Sequence, residues 1–192
     1  MMTDLKDIKA FAFDVDGVFT DGSVLALDNG DLLRTFNAKD SFSIRTAAVN
    51  GFPIAIITGG CSESIISRFN SLSIPSSDIY QMSKNKLPDL LHFCKRHNID
   101  ISEVLFGGDD VPDAETLRAA GVGICPADAC IECKEAADIV SERCGGKGFV
   151  REIVERTLRA QGKWIFNAEQ PWGFSYRDEV NAAQFKTGRY VE

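Results

Sequence analysis

The sequence predicts an α/β fold with a doubly wound, Rossmann-like parallel sheet. Short apolar runs rich in β-branched and aromatic residues alternate with longer segments of helical periodicity. Strands and helices that alternate at this spacing form right-handed βαβ units, whose strands lie parallel in one sheet. Three of the apolar runs end in acidic or hydroxyl residues. This is typical of a ligand site at the carboxyl edge of such a sheet.

The composition indicates one globular domain. The chain has 192 residues, of which 44% are hydrophobic and 26% are charged, which is enough for a substantial core. The net charge of −7 argues against nonspecific binding to nucleic acid or to an anionic membrane. No apolar run approaches the length of a membrane span, and the first residues lack a secretory apolar region. We therefore expect a cytoplasmic protein with no nucleic-acid or membrane partner.

The first apolar run, residues 11–13, is a predicted buried strand that ends at Asp14 and Asp16. Alternate residues of an extended chain point to the same side, so the two carboxylates would emerge together. Gly17 then allows the backbone to turn. Because two buried like charges need a cation or a proton, the pair predicts a metal site, a catalytic site or both. A D-x-D-G turn that binds calcium, or no ligand, is the alternative.

A β-hairpin is predicted next, over about residues 23–36. Asn29-Gly30 between two short apolar runs is the signal of a tight hairpin turn. After the hairpin, helices and strands alternate without any internal repeat. The predicted helices cover about 40–50, 62–72, 84–97, 113–120, 130–136 and the segment from 148 to about 161, and the predicted strands cover 52–57, 79–81, 104–107, 122–124 and 139–140.

The ends of two later strands complete a candidate site. Thr58 follows the strand at 52–57, Asp109 and Asp110 follow the strand at 104–107, and Lys86 lies near a helix start. The carboxyl ends of parallel strands meet at one edge of a sheet, so we expect these side chains to lie near the first acidic pair. Each alone could be a turn, a surface lysine or a helix cap. Their joint order after strands favours an active site.

This order of motifs resembles that of the haloacid dehalogenase superfamily, over about residues 8–162. Asp14-Val15-Asp16-Gly17-Val18 followed by Thr20-Asp21-Gly22 resembles the first motif of the cap-less branch that contains the 3-deoxy-manno-octulosonate 8-phosphate phosphatases. Gly145-Gly146-x-Gly148-x-x-Arg151-Glu152 and Leu158-x-x-Gln161-Gly162 resemble the C-terminal signature of that branch. The segments 17–40 and 58–86 are too short to contain a separate cap domain.

The resemblance implies Mg²⁺-dependent hydrolysis of a phosphomonoester through an aspartyl-phosphate. Asp14 would be the nucleophile, and Asp16 would give a proton to the leaving sugar oxygen and take one from the hydrolytic water. Asp14, the main-chain carbonyl of Asp16, and Asp109 would hold the metal. The phosphate-binding residues would be Thr58, Gly59 and Lys86. Asp110 would contact the metal or support its ligands, and Asp113 is expected to start a helix.

The resemblance also implies a phosphorylated 2-keto-3-deoxy sugar acid as substrate. We expect 3-deoxy-D-manno-octulosonate 8-phosphate, from lipopolysaccharide sugar biosynthesis, ahead of a nonulosonate 9-phosphate. Lys39 and Arg68 match positions of the branch and are candidate substrate contacts. Gly60 and Cys61 stand where an arginine often follows the Thr-Gly pair. Such an arginine could hold a sugar carboxylate at two points, so its absence leaves the identity of the sugar open.

Relatives with such a hairpin are tetramers whose neighbouring subunits close each other's sites, so the resemblance implies a homotetramer. We expect a phosphatase domain over residues 1–162 and an aromatic tail over residues 163–192. The tail would pack on its own domain or on a neighbouring subunit.

Two other classes of function and one other metal site are open alternatives. A phospho-accepting regulatory domain has the same fold, but its acidic pair is adjacent, unlike the D-x-D spacing here. An idle scaffold is disfavoured because all four motif positions hold competent residues. Cys130-x-x-Cys133 could form half of a zinc site with Cys125 or Cys144, but no second C-x-x-C occurs, which favours free thiols.

Overall fold

The computed structural model describes residues 4–165, so the predicted tail beyond residue 165 lies outside the described residues. The described chain forms a six-stranded parallel sheet and a separate two-stranded hairpin. The strands of the sheet are β1 (Ala10–Phe13), β4 (Ile54–Ile57), β5 (Ile79–Tyr80), β6 (Val104–Gly107), β7 (Val122–Cys125) and β8 (Ile139–Val140), and the hairpin strands are β2 (Leu25–Ala26) and β3 (Leu32–Leu33). The predicted α/β fold is confirmed, and residues 4–165 contain no separate cap domain.

The strand order places β1 near the centre of the sheet. The order is β5-β4-β1-β6-β7-β8, with every neighbouring pair parallel. The chain therefore fills one side of β1 first and then crosses to the other side at β6. In a doubly wound sheet this reversal opens a crevice at the carboxyl ends of the two strands. The fold thus directs a ligand to the region beyond Phe13 and Gly107.

Helices connect the strands of the described chain. They are α1 (Ala38–Val49), α2 (Glu63–Asn70), α3 (Lys86–His97), α4 (Ala114–Ala119), α5 (Ile131–Ala136) and α6 (Phe149–Ala160). The start of α3 differs from the predicted residue 84 because Asn85 caps the helix: its Oδ1 accepts a hydrogen bond from the backbone N–H of Leu87. The cap makes Lys86 the first helical residue.

The sheet separates two hydrophobic cores. Consecutive strand residues point to opposite faces, so Phe11 and Phe13 enter one core while Ala10 and Ala12 enter the other. Residues of α1 and α6 cover the first core, and residues of α3, α4 and α5 cover the second. All four residues of β1 are 0% exposed. The strand that carries the acidic pair is therefore held firmly on both faces.

The predicted hairpin is present, but its paired strands are shorter than 23–36. Leu25 pairs with Leu33, and Ala26 pairs with Leu32. The turn contains Gly30, whose φ of +88° suits a glycine. Leu25 and Leu33 are 62% and 48% exposed. An isolated two-stranded ribbon of this size is marginal in water, so contacts outside the ladder must hold it.

The last described residues lie beside α6. Trp164, the first aromatic residue of the predicted tail, is 8% exposed and belongs to the first core. Its ring lies 4.6 Å from the Arg151 guanidinium and edge-on to Phe42. The first residues of the segment 163–192 thus pack on their own domain. No helix of the described chain is long and apolar enough to cross a membrane.

Candidate active site

The ends of three neighbouring strands bring the predicted site residues together. Asp14 follows β1, Thr58 follows β4, and Asp109 lies two residues beyond β6. Because β4 and β6 flank β1, these ends are adjacent at the carboxyl edge of the sheet. Asp14 and Thr58 are 7% and 1% exposed. Lys86, at the start of α3, reaches the same place and is almost fully buried.

Three carboxyl groups surround one ammonium group at this edge. One oxygen each of Asp14, Asp109 and Asp113 lies within 4.8 Å of the other two. Lys86 Nζ lies 2.9 Å from Asp14 Oδ2 and 2.5 Å from Asp113 Oδ1. One lysine balances only one of three negative charges, so the fully ionised cluster has surplus negative charge. A divalent cation would neutralise that surplus.

Burial raises the pKa of two of these carboxyl groups. The pKa of Asp14 rises from 3.8 to about 7, chiefly because burial penalises the charged form, although Lys86 opposes the rise. The pKa of Asp109 rises from 3.8 to about 8, again through burial first, with the charges of Asp14 and Asp113 adding to it. Burial acts to lower the pKa of Lys86, but the two acidic partners outweigh it and raise that pKa. The lysine therefore stays charged, and a proton or a cation is needed beside the acids.

Two oxygens of the cluster have no partner within residues 4–165. Asp14 Oδ1 and Asp109 Oδ1 are closed off from solvent and accept no hydrogen bond. A buried acceptor without a partner costs about 1–3 kcal/mol, and more when it is charged. Magnesium prefers carboxylate oxygens as ligands. The two oxygens therefore fit a magnesium ion, the metal that the resemblance implies.

Gly17 is required by its contact with the acidic cluster. Its φ is +81°, a conformation that side chains rarely allow. A Cβ atom at this position would lie 1.9 Å from Asp109 Oδ2. Thr20 fixes the turn, because its Oγ1 accepts hydrogen bonds from the backbone N–H groups of Gly17 (3.3 Å) and Gly22 (3.2 Å). The first motif is thus folded tightly against Asp109, beyond the end of β6.

Asp113 does more than start a helix, which is all that the sequence indicates. It precedes α4, but its side chain is fully buried. Its Oδ2 accepts hydrogen bonds from the backbone N–H groups of Asp109 (3.0 Å) and Asp110 (3.3 Å). Together with its ion pair to Lys86, these contacts hold the Asp109 backbone and the Lys86 ammonium group in place. The spacing Asp109-Asp110-x-x-Asp113 is the signal that could have identified it.

The loop after β4 presents Thr58 and Gly59. Thr58 Oγ1 accepts a hydrogen bond from the backbone N–H of Gly60 at 3.1 Å. The Thr58 carbonyl accepts one from the backbone N–H of Ser83 at 3.0 Å, which ties this loop to the segment before α3. Gly59 is exposed. A hydroxyl and a free glycine backbone at a sheet edge are suited to phosphate oxygens.

The carboxyl group of Asp16 pairs with Arg34 of the hairpin. Arg34 Nε lies 2.7 Å from Asp16 Oδ1, and Arg34 Nη2 lies 3.0 Å from Asp16 Oδ2. Arg34 has a raised pKa, chiefly because of its hydrogen bond to Asp16. Sequence reasoning missed Arg34. The available signal is that it is the single basic residue between positions 23 and 36.

The remaining predicted site residues lie outside the buried cluster. Asp110 is exposed, and its side chain caps the short 3₁₀ turn that follows it. Arg68 donates from Nη2 to Ser41 Oγ at 2.5 Å and lies over the Phe36 ring. Lys39 is exposed in the first turn of α1. Among these three residues, only Asp110 is hydrogen-bonded to the acidic cluster within residues 4–165, and its backbone N–H donates to Asp113.

The C-terminal signature secures the turn of the first motif. Asp40 is fully buried and accepts hydrogen bonds from the backbone N–H groups of Gly148 (3.3 Å) and Arg151 (2.7 Å), so it caps α6. A Cβ atom at Gly145 would lie 1.8 Å from the Gly17 carbonyl oxygen. The start of α6 therefore packs against the turn that positions the acidic pair.

The cysteines give no support to a zinc site. All six are free. Cys133 is buried, which raises its pKa far above the ordinary range, and its Sγ donates to the Asp110 carbonyl at 3.0 Å. Over residues 4–165, the acidic cluster is the only group of three or more His, Cys, Asp or Glu side chains arranged to hold a metal.

Comparisons with known proteins agree with this geometry. The family profile described as haloacid dehalogenase-like hydrolase matches residues 36–153. The 3-deoxy-D-manno-octulosonate 8-phosphate phosphatase of Salmonella typhi is 34% identical over 163 residues, which cover 85% of this chain and 86% of that protein.

Two solved structures have the same fold. The crystal structure of 3-deoxy-D-manno-octulosonate 8-phosphate phosphatase from Moraxella catarrhalis, in complex with magnesium ion, phosphate ion and KDO molecule, has a TM-score of 0.79 at 35% identity and covers 82% of this chain and 90% of that chain. The cobalt-bound Haemophilus influenzae deoxy-D-mannose-octulosonate 8-phosphate phosphatase has a TM-score of 0.78 at 30% identity, covering 82% and 91%. The metals in both relatives agree with the predicted cofactor. The chain belongs to the haloacid dehalogenase-like hydrolase family and, like these relatives, is a phosphatase.

Proposed function

We propose that the chain hydrolyses a phosphorylated sugar acid, with 3-deoxy-D-manno-octulosonate 8-phosphate as its substrate, through an aspartyl-phosphate on Asp14. The observation that carries this proposal is the buried cluster of three acids and one lysine at the ends of β1 and β6. Two of its oxygens, on Asp14 and Asp109, have no hydrogen-bond partner in the described chain. Such a site is built for a cation and for an anion that the cation attracts.

Magnesium is the proposed cofactor. The Asp14 and Asp109 carboxylates and the main-chain carbonyl of Asp16 would hold it. When bound, Mg²⁺ supplies positive charge that lets a carboxylate approach an anionic phosphate ester. Asp113 would keep Asp109 and Lys86 in place through the hydrogen bonds and the ion pair described above. Asp110, which is exposed and caps a turn, would support these ligands through its backbone.

Asp14 and Asp16 would divide the chemistry. In the first step an Asp14 oxygen bonds to phosphorus, the bond from phosphorus to the sugar oxygen breaks, and a proton passes from Asp16 to that oxygen. In the second step the oxygen of a water molecule bonds to phosphorus, the bond to Asp14 breaks, and Asp16 accepts the proton of that water. The second step restores the free carboxylate of Asp14 and the proton of Asp16, so the two steps together complete one turnover.

Thr58, Gly59 and Lys86 would bind the phosphoryl oxygens. The ammonium group of Lys86 already lies 2.9 Å from the proposed nucleophile, so it is close to any phosphorus that Asp14 attacks. The Thr58 hydroxyl lies at the end of the neighbouring strand. Charge that spreads over the phosphoryl oxygens in the transition state would thus meet one cation and one hydroxyl donor.

The substrate class rests on the relatives, among which a 34% identical protein carries the name of an octulosonate 8-phosphate phosphatase. Arg68 and Lys39 are the proposed substrate contacts outside the cluster. The Nε of Arg68 is buried and has no hydrogen-bond partner within the described residues. A nonulosonate 9-phosphate is the alternative substrate, because Gly60 and Cys61 stand where an arginine often follows the Thr-Gly pair of the branch.

We also propose a homotetramer in the cytoplasm, with a phosphatase domain over 1–162 and a tail over 163–192. The exposed hairpin leucines, Leu25 and Leu33, support assembly through the hairpin, since they face solvent in a single chain. Free thiols are typical of a reducing compartment. Analytical ultracentrifugation would measure the assembly, and a monomer at micromolar concentration would contradict it.

The experiment that tests the function is a screen of phosphorylated sugar acids with released phosphate as the readout. We expect 3-deoxy-D-manno-octulosonate 8-phosphate to have the highest kcat/KM, with activity lost in EDTA and restored by Mg²⁺. Asp14→Asn should show no turnover. Steady hydrolysis by that variant would refute Asp14 as the nucleophile, whereas a stable phosphoprotein without turnover in the wild type would favour a regulatory domain.

A further inference from the structure

The hairpin delivers a buried arginine to the active site. Arg34 Nε and Nη2 hold the two oxygens of Asp16 at 2.7 Å and 3.0 Å. The Arg34 side chain is 4% exposed, whereas that of Asp16 is 31% exposed. A rigid guanidinium therefore holds the more exposed carboxyl group at two points, which fixes its orientation as well as its position. Within residues 4–165, Arg34 is the only group that donates a hydrogen bond to this carboxyl group.

Gly60 leaves the space that this guanidinium occupies. A Cβ atom at Gly60 would lie 2.9 Å from Arg34 Nη2, 3.5 Å from Thr58 Oγ1 and 3.6 Å from Asp16 Oδ2. Gly60 does not have a positive φ, so a glycine is needed there for space and not for backbone conformation. Gly60, in the loop after β4, and Arg34, in the hairpin, are far apart in the sequence, but their side-chain volumes fit each other in the structure.

We propose that Arg34 is a positioning residue that orients Asp16 for proton transfer, with Gly60 admitting its guanidinium. The proposal rests on the proposed role of Asp16 as proton donor and acceptor. A proton-transfer group contributes about 10²–10⁴-fold to the rate only while it lies within hydrogen-bond reach of the reacting oxygen. Asp16 sits in the turn after β1 and is partly exposed, so without Arg34 its carboxyl group would sample orientations that miss that oxygen.

Positioning of a proton donor has a signature that structural damage does not have. A sugar alcohol is a poor leaving group and needs a proton as it departs, whereas p-nitrophenolate departs readily without one. Loss of Arg34 should therefore slow the first chemical step with a sugar phosphate far more than with p-nitrophenyl phosphate. General distortion of the cluster around Asp14 would slow both substrates alike, because both need the same nucleophile.

The test compares Arg34→Ala, Arg34→Lys and the control Arg118→Ala, which replaces an exposed arginine of α4. Rapid-quench single turnovers measure the first step with 3-deoxy-D-manno-octulosonate 8-phosphate, and the p-nitrophenolate burst measures it with p-nitrophenyl phosphate. We expect Arg34→Ala to lose about 30- to 100-fold with the sugar phosphate but less than about fivefold with the aryl ester. KM for the sugar phosphate should stay within about threefold, and Arg34→Lys should recover part of the loss.

Gly60→Ala provides an independent arm. Its added methyl group should displace the guanidinium and give the same substrate pattern at smaller size, while adding nothing in the Arg34→Ala background. Equal losses with both substrates, or a raised KM with unchanged single-turnover rates, would overturn the proposal. Unchanged rates in Arg34→Ala would do so as well. A wild type that forms no phosphoprotein from either ester would instead remove the proposed function and, with it, the role of Arg34.

Discussion

Replacing Asp109 by asparagine should make the metal-free protein more stable while removing its activity. Asp109 lies in a cluster with Asp14 and Asp113, and its Oδ1 is buried without a partner in the described chain. Asparagine has nearly the same shape, so it fits beside Gly17, but it has no charge to be repelled. The side chain that would hold the metal is thus one whose charge the folded protein must tolerate until the metal arrives.

The size of the gain in stability follows from the pKa of Asp109, which rises from its ordinary value of 3.8 to about 8 in the folded protein. Between those values the folded state retains a proton that the unfolded chain has lost, so the free energy of unfolding falls as pH rises, by up to about 1.4 kcal/mol per pH unit. At pH 7 this amounts to roughly 4 kcal/mol. The side chain is partly exposed, and solvent screening reduces the figure to about 2 kcal/mol. Asparagine, which does not titrate, escapes this loss.

The assay is thermal unfolding, followed by circular dichroism at pH 5, 6, 7 and 8 in EDTA and in excess Mg²⁺. In EDTA at pH 7 the Tm of Asp109→Asn should exceed that of the wild type by roughly 4–8 °C, and the difference should grow with pH. Excess Mg²⁺ should raise the Tm of the wild type and leave that of the variant almost unchanged. The control Asp7→Asn, at an exposed carboxylate, should change stability by less than about 0.5 kcal/mol. The reasoning fails if Asp109→Asn is less stable in EDTA at pH 8, or if Mg²⁺ stabilises it as it does the wild type.

Three further predictions concern the same cluster. Lys86→Ala should lose about a hundredfold or more in kcat and about 3–5 kcal/mol of stability, because it breaks two buried ion pairs. Lys84→Ala, at an exposed lysine two residues earlier, is the control. Equal effects of the two substitutions on kcat in a steady-state assay would remove Lys86 from the site. Gly17→Ala should weaken Mg²⁺ binding measured by calorimetry, because the added Cβ would meet Asp109. The control is Gly30→Ala, since Gly30 has a similar positive φ but open space around it, and this substitution should reduce only stability. Equal losses of Mg²⁺ affinity in the two variants would attribute the effect to backbone strain. The affinity for Mg²⁺ should rise by about two to three orders of magnitude from pH 6 to pH 8, because both Asp14 and Asp109, with pKa values of about 7 and about 8, must release a proton to bind the metal. An affinity independent of pH would contradict those pKa values.

The sequence predicts the parts of the site that depend on one strand end at a time. Asp14, Thr58 and Asp109 each follow an apolar run, and the sheet then brings them together because parallel strands end at one edge. The position of Lys86 near a helix start predicts that it reaches the same edge. These predictions need only local patterns and the strand order of a doubly wound sheet.

The sequence does not predict the contacts that cross between elements. Arg34 reaches Asp16 from a hairpin whose ladder is only two residues long, and no periodicity indicates where that hairpin folds. Asp113 matches the pattern of a helix start, so its burial against Lys86 emerges only when α3 and β6 are packed together. In both cases the missing information is the direction of a side chain across a tertiary contact.

The local charges of the site explain how an acidic protein can accept a phosphate ester. The pair of Asp16 and Arg34 is neutral by itself. The cluster of Asp14, Asp109 and Asp113 with Lys86 has two surplus negative charges when fully ionised, and a divalent cation cancels both. The phosphate would then meet a neutral site with directed donors, although the whole chain has a net charge of −7. Attraction must therefore be local and must depend on the metal, since at the ionic strength of a cell the distant negative charges are screened beyond about 8 Å.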